Sequence, residues 1–110
     1  LTFRSFHGFL IGGSIDSTVN VPDLIYSKAT NQTSTLVGLT ARIESGTSID
    51  VNIRRNGSVV STVTVTGIKE TFALSQALSD DDALDLTFAN PIATPKDLGA
   101  TLIIEHVVTA

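Results

Sequence analysis

Residues 37–65 read VGLTARIESGTSIDVNIRRNGSVVSTVTV, and their alternation decides the fold. Val37, Leu39, Ala41 and Ile43 share one parity, and Gly38, Thr40 and Arg42 take the other. After the turn-forming run Glu44-Ser45-Gly46-Thr47, Ile49, Val51 and Ile53 alternate with Asp50, Asn52 and Arg54. Beyond Arg55-Asn56-Gly57 the same period carries on through Val59, Ser61, Val63 and Val65. A period of two sends successive side chains to opposite faces of a pleated strand. The stretch therefore predicts consecutive antiparallel strands whose odd-numbered side chains meet in a dry interior.

Asn56 and Gly57 form the structural turn of this hairpin, and its register can be read in two ways. A two-residue Asn-Gly loop pairs Ile53 with Val60, Val51 with Thr62 and Ile49 with Thr64. A three-residue loop pairs Ile53 with Val59, Val51 with Ser61 and Ile49 with Val63. The second keeps more apolar residues on one face. It predicts a type I turn with a bulge and a left-handed Gly57.

The pattern extends in both directions. Ile68, Phe72 and Leu74 predict a further strand, and a short helix over 75–83 stays open as an alternative. Ser79-Asp80-Asp81-Asp82 makes an acidic corner ahead of Leu84, Leu86 and Phe88, with Asp85 and Thr87 facing outward. Asn90-Pro91 and Thr94-Pro95 mark a loop, because a residue before proline is pushed out of the α region. A last strand covers 101–108. With an N-terminal strand and another near 17–26, about eight short strands result, an antiparallel β-sandwich or jelly roll. The all-β reading makes residues 1–110 a single domain, with 1–14 a candidate docking strand or arm.

The totals narrow the function. A chain of 110 residues without cysteine offers no disulfide framework, zinc cluster or thiol nucleophile. Net charge is -4 with a pI near 4.8, which argues against a nucleic-acid partner. No apolar run approaches the roughly 18 residues of a membrane helix, so a soluble domain with no membrane partner is expected. Charged residues are 16% of the chain, below the roughly one quarter of an average domain. Mean hydropathy is nevertheless positive, at +0.28. That combination points to surface covered by other subunits. The chain has no Met and starts at Leu1, too bulky to promote removal of an initiator Met, which reads as a processed product or part of something longer.

The two ends differ from the middle in being apolar on both parities. Phe3, Phe9 and Ile11 alternate against Phe6 and Leu10, and Leu102, Ile104 and Val108 against Ile103 and Val107. A strand apolar on both faces needs cover on both. Two readings stand: burial under the second sheet and loops, or docking of one face on a neighbouring subunit. The second makes Phe3, Phe6, Phe9, Leu10, Ile103 and Val107 interface residues.

Reactive groups are sparse, and no enzymatic activity and no cofactor are expected. His7 and His106 sit among apolar residues, as packed or interfacial imidazoles do. No G-x-S-x-G elbow supports a Ser-His-Asp triad. Asp80, Asp81, Asp82 and Asp85 make a weak calcium candidate, without the D-x-D-x-D-G spacing of a helix-loop site. A solvated turn accounts for them equally well. Gly8, Gly12 and Gly13 precede no Lys-Ser/Thr, which excludes a phosphate loop. Asn31-Gln32-Thr33 and Asn56-Gly57-Ser58 match the glycosylation triplet, which chance provides in a chain this rich in Ser and Thr. With aromatics at 5% and only one Tyr, a sugar-binding platform has little to build on.

Three phrases carry a family resemblance. Ile49-Asp50-Val51-Asn52-Ile53-Arg54-Arg55-Asn56-Gly57-Ser58-Val59-Val60 resembles a strand-turn-strand phrase of small β domains in tailed-bacteriophage virion proteins. Ser79-Asp80-Asp81-Asp82-Ala83-Leu84-Asp85-Leu86 is similar to the acidic turn that follows, with Asp81 where a Gly is usual. Leu98-Gly99-Ala100-Thr101-Leu102-Ile103-Ile104-Glu105 is similar to the closing strand. The likeness covers roughly residues 17–108. It implies a capsid decoration (cement) protein, a head fibre or a minor tail component. The implied partners are other virion proteins, the major capsid protein above all, and further copies of the chain as a homo-oligomer such as a trimer. The implied place is the outer surface of the virion. No functional residue set comes with the resemblance. The alternative is a fibre or adhesin module that recognises a receptor or carbohydrate.

Overall fold

A computed structural model describes residues 1–109. Its strands are β1 (Thr2–Ser14), β2 (Leu24–Ile25), β3 (Gln32–Ser45), β4 (Ser48–Arg55), β5 (Ser58–Val65), β6 (Glu70–Leu78), β7 (Ala83–Ile92) and β8 (Lys96–Val108). They form two four-stranded antiparallel sheets, ordered β1-β8-β3-β6 and β2-β7-β4-β5. The pairs β1·β8, β2·β7, β3·β6 and β4·β5 are nested one inside the next. That nesting is the jelly roll, two Greek keys folded over each other. Residues 75–83, the helix alternative, are the end of β6 and the turn after it. The strand expected near 17–26 shrinks to the two residues of β2.

The interior is where the alternation placed it. Leu39, Ala41, Ile43, Ile49, Val51, Ile53 and Val65 are buried together with Leu84, Leu86, Phe88, Leu98, Leu102 and Ile104. Full burial of each large aliphatic side chain is worth about 1.5–3 kcal/mol. Three positions depart from the expected parity. Register slips between Leu36 and Gly38, so Val37 is only half-buried and Leu36 points inward instead. Val59 is exposed, as is Ile68, which precedes β6.

The β4–β5 hairpin follows neither predicted register. Arg55 pairs with Ser58 across a two-residue turn, and both Asn56 (φ 51) and Gly57 (φ 83) are left-handed. Positive φ at both central residues is the type I′ pattern, whose twist matches that of the strands. The extra residue is Val60, further along: Arg54 pairs with Val59 but Ile53 with Ser61. The slip puts Val51 opposite Val63 and Ile49 opposite Val65. Packing therefore moved the bulge out of the turn and into the strand.

The strands of the outer keys are long. β1, β3 and β8 span 13, 14 and 13 residues, and the molecule measures 50 × 24 × 19 Å. Along one side of the sandwich β5 touches β6. Along the other, β2 is too short to flank β1.

Candidate assembly surface

In β1 the inward-facing series is Ser5, His7, Phe9 and Ile11, and the outward series contains Phe6 and Leu10. The adjacent β8 buries Leu98, Ala100, Leu102, Ile104 and His106 against the second sheet. Its outward series includes Ile103 and Val107. Phe6 stands opposite Ile103, and Ile103 opposite Gly38 of β3. With no side chain at Gly38, Ile103 sinks against the strand, its Cδ1 3.4 Å from where a Cβ would stand. Phe6 is left 64% exposed and Leu10 93%. Val107 lies between Thr2 and Thr33, also exposed.

The six residues read as an interface thus divide. Phe6, Leu10, Ile103 and Val107 share one outer face. Phe9 packs against the core. Phe3 stacks on the His106 ring at 4.9 Å between centroids. Two ion pairs lie on the outer face, Arg4–Glu105 at 3.3 Å and Arg42–Glu44 at 2.8 Å.

The same strand also presents its edge. Leu1 and Val108 exchange both backbone hydrogen bonds, at 2.8 and 3.3 Å. Doubly bonded pairs alternate along an antiparallel ladder. Odd-numbered residues of β1 therefore turn their N–H and C=O toward β8, and Thr2, Arg4, Phe6, Gly8 and Leu10 turn theirs away. Among the described residues, no hydrogen bond reaches those outward groups. A long, weakly charged strand with an open edge is a template for another strand.

The two histidines belong to a polar chain under this strand. Tyr26 Oη donates to Ser34 Oγ at 2.6 Å, and Ser34 Oγ lies 2.7 Å from His106 Nδ1. The Gln32 amide donates to the same nitrogen at 2.8 Å. With Nδ1 an acceptor, the proton sits on Nε2, which donates to Ser5 Oγ at 2.7 Å. Ser5 in turn donates to His7 Nε2 at 2.9 Å. Desolvation, helped by His7, lowers the pKa of His106. In this tautomer His106 cannot accept the Ser5 proton, and among the described residues no carboxylate bonds its ring. The chain had no signature in the sequence, since its members come from β1, β3, β8 and the segment beyond β2.

The acidic corner is a turn at Asp80 and Asp81, as expected, but Asp82 and Asp85 are not solvated. Asp82 is buried, accepting from Ser79 N at 2.7 Å, Arg55 Nε at 2.7 Å and Asn56 Nδ2 at 2.8 Å. Burial acts to raise its pKa, but these donors outweigh it and the net shift is downward. Asp85 is also buried, held by Arg54 through Nε at 2.8 Å and a second, parallel bond. Asp80 accepts from Lys28 N at 2.8 Å, and Asp81 takes the left-handed turn position at φ 65. Among the described residues no three His, Asp or Glu groups converge to hold a metal ion. Asn56, read only as a turn residue, also bonds Ala83 through its side-chain oxygen and its own N–H, at 2.9 and 2.8 Å. It ties the β4–β5 turn to the start of β7.

No family model matches the chain, and no curated protein matches it. Two solved structures share its outline. One, described as Bacillus endospore appendages that form a novel family of disulfide-linked pili, has a TM-score of 0.49 and 16% identity, covering 100% of this chain and 92% of the other. The other, the nucleoplasmin-like N-terminal domain of Drosophila FKBP39, has a TM-score of 0.48 and 16% identity, covering 97% and 93%. Likenesses this distant carry no argument about what the chain does.

Proposed function

We propose that this domain is a non-catalytic structural subunit that works by assembly, and that it decorates the outer surface of a virion, seated on the major capsid protein. The observation that carries the assembly reading is one strand with two unmet demands. β1 exposes Phe6 and Leu10 on its outer face and a row of unpaired backbone groups along its edge. Either feature alone is common on monomers; together, on a chain with 16% charged residues, they favour burial against other subunits.

The virion reading adds the resemblance of the Asn56-Gly57 hairpin, the acidic corner and the closing strand to phage head and tail domains. Its mechanism is mechanical. Apolar area buried at seams contributes about 25 cal/mol per Å2, and repetition over a shell multiplies a small contact. The test is fractionation of particles from the source of the sequence on a density gradient, followed by detection of the chain. Banding with the particles is expected. A chain found wholly in the free protein fraction would overturn the virion role.

A further inference from the structure

Building on the assembly reading, the geometry points to a specific partner and register: a second copy of this chain, joined β1 to β1 about a two-fold axis at Gly8. In such an isologous contact, residue i meets j and j meets i. Antiparallel pairing of β1 with itself therefore has few registers. The outward-turned backbone groups belong to even-numbered residues, so even positions must face even positions.

Side chains then choose among the registers. An axis at His7 sets Arg4 against Leu10 and Phe6 against Gly8, a charge on an apolar group. An axis at Phe9 sets Phe6 against Gly12 and Leu10 against Gly8, leaving both bulky groups unpartnered. An axis at Phe6 sets Leu10 against Thr2. Only the axis at Gly8 places Phe6 of each copy opposite Leu10 of the other, twice over. These are the two most exposed large apolar side chains within the strand, at 64% and 93%. Gly8 has nothing within 4 Å of a Cβ position, so no side chain stands on the axis and the two pairs can close over it.

Charge fits the same register. Arg4 falls opposite Gly12 of the second copy, and behind that glycine lies Asp97, its Oδ1 4.0 Å from the Gly12 Cβ position. The Asp97 carboxylate is anchored by Gly13 N at 2.7 Å. The present partner of Arg4, Glu105, holds it at 3.3 Å with the arginine half-exposed, a weak restraint. The edge is also reachable. Beside it an open groove of about 450 Å3 separates residues 8–12 from Asn20, Val21 and Pro22 of the β1–β2 linker. In the dimer, the two β1-β8-β3-β6 sheets become one continuous sheet.

The test is solution mass by light scattering on wild type and two variants. Wild type is expected at twice the chain mass of 11.6 kDa. Gly8→Pro removes an N–H that points away from β8, a place where edge strands accept proline. It should keep the far-ultraviolet circular dichroism and halve the mass. Gly8→Cys introduces the chain's single thiol. Facing residues of a hydrogen-bonded pair stand about 5.5 Å apart at Cα, within disulfide reach. Mild oxidation should convert that variant to a covalent dimer, while Ser58→Cys at the far turn should not cross-link. If Gly8→Pro does not fold, the Gly8→Cys cross-link decides alone. A wild-type oligomer that survives Gly8→Pro, with no Gly8→Cys cross-link, overturns the β1 pairing and leaves assembly standing. A monomeric wild type overturns both.

Discussion

Gly46 and Gly57 both occupy turns at positive φ, 93° and 83°, yet they answer to different constraints. Around Gly57 the space is empty, so Gly57→Ala should cost only the left-handed backbone, about 1–2 kcal/mol. At Gly46 a Cβ would stand 2.6 Å from Pro95 Cα, a backbone atom that cannot swing aside. Gly46→Ala should therefore cost clearly more, by urea unfolding. Equal losses would refute the close approach. His106 makes a second prediction at this scale. Its pKa is lowered in the fold by burial, and the neutral ring is what Gln32 and Ser34 bind. As pH falls below the ordinary value of 6.5, the unfolded chain takes up this proton more readily than the folded one. Stability should decline from there until the lowered pKa is passed, and above 6.5 the group should have no effect. The midpoint of thermal unfolding followed against pH checks this, with His106→Gln expected to flatten the slope.

Among the elements, the corner between the β4–β5 and β6–β7 turns depends on Asp82. Its carboxylate joins Arg55, Asn56 and the backbone of Ser79, while Tyr26 N donates to its carbonyl at 2.8 Å. Asp82→Ala would leave those donors without an acceptor. A loss of about 2–3 kcal/mol is expected from bonds to a charged group, kept modest because Arg55 retains some solvent. The lowered Asp82 pKa works in the same direction as that of His106, but in a more acidic range. Its contribution is intact above the usual carboxylate range and disappears as pH falls through the lowered value. Chemical denaturation of Asp82→Ala and wild type at neutral pH measures the first effect. In this corner the acidic run was legible as a turn, because Asp and Ser favour turns locally. Its pairing was not, because Arg54 and Arg55 come from a different hairpin.

At the scale of the whole molecule, Phe6 and Leu10 are the residues whose loss should separate folding from assembly. Neither lies in the core, so the double change Phe6→Ser with Leu10→Ser should unfold at nearly the wild-type temperature, and its mass by light scattering should be monomeric. Phe3→Ser is a different experiment, although the sequence reads Phe3 as an interface residue together with Phe6 and Leu10. Phe3 stacks on the buried His106 ring, so its loss should be felt in stability as well. A Phe6→Ser/Leu10→Ser variant that still assembled would move the interface elsewhere.

What the sequence determined by itself is the all-β class, the approximate strand count and the identity of most of the interior. Leu39, Ala41, Ile43, Ile49, Val51 and Ile53 are inward because alternation is a local property, set by the pleat of a single strand. Tertiary structure alone decided how the strands nest, where the slips at Val37 and Val60 fall, and which parity of β1 meets water. It also turned Asp82 and Asp85 from surface carboxylates into buried ion-pair partners. Those outcomes rest on contacts between residues far apart in the chain, such as Leu1 with Val108. A strand's own pattern says that it has two faces and two edges, but only its neighbours determine which of them are covered.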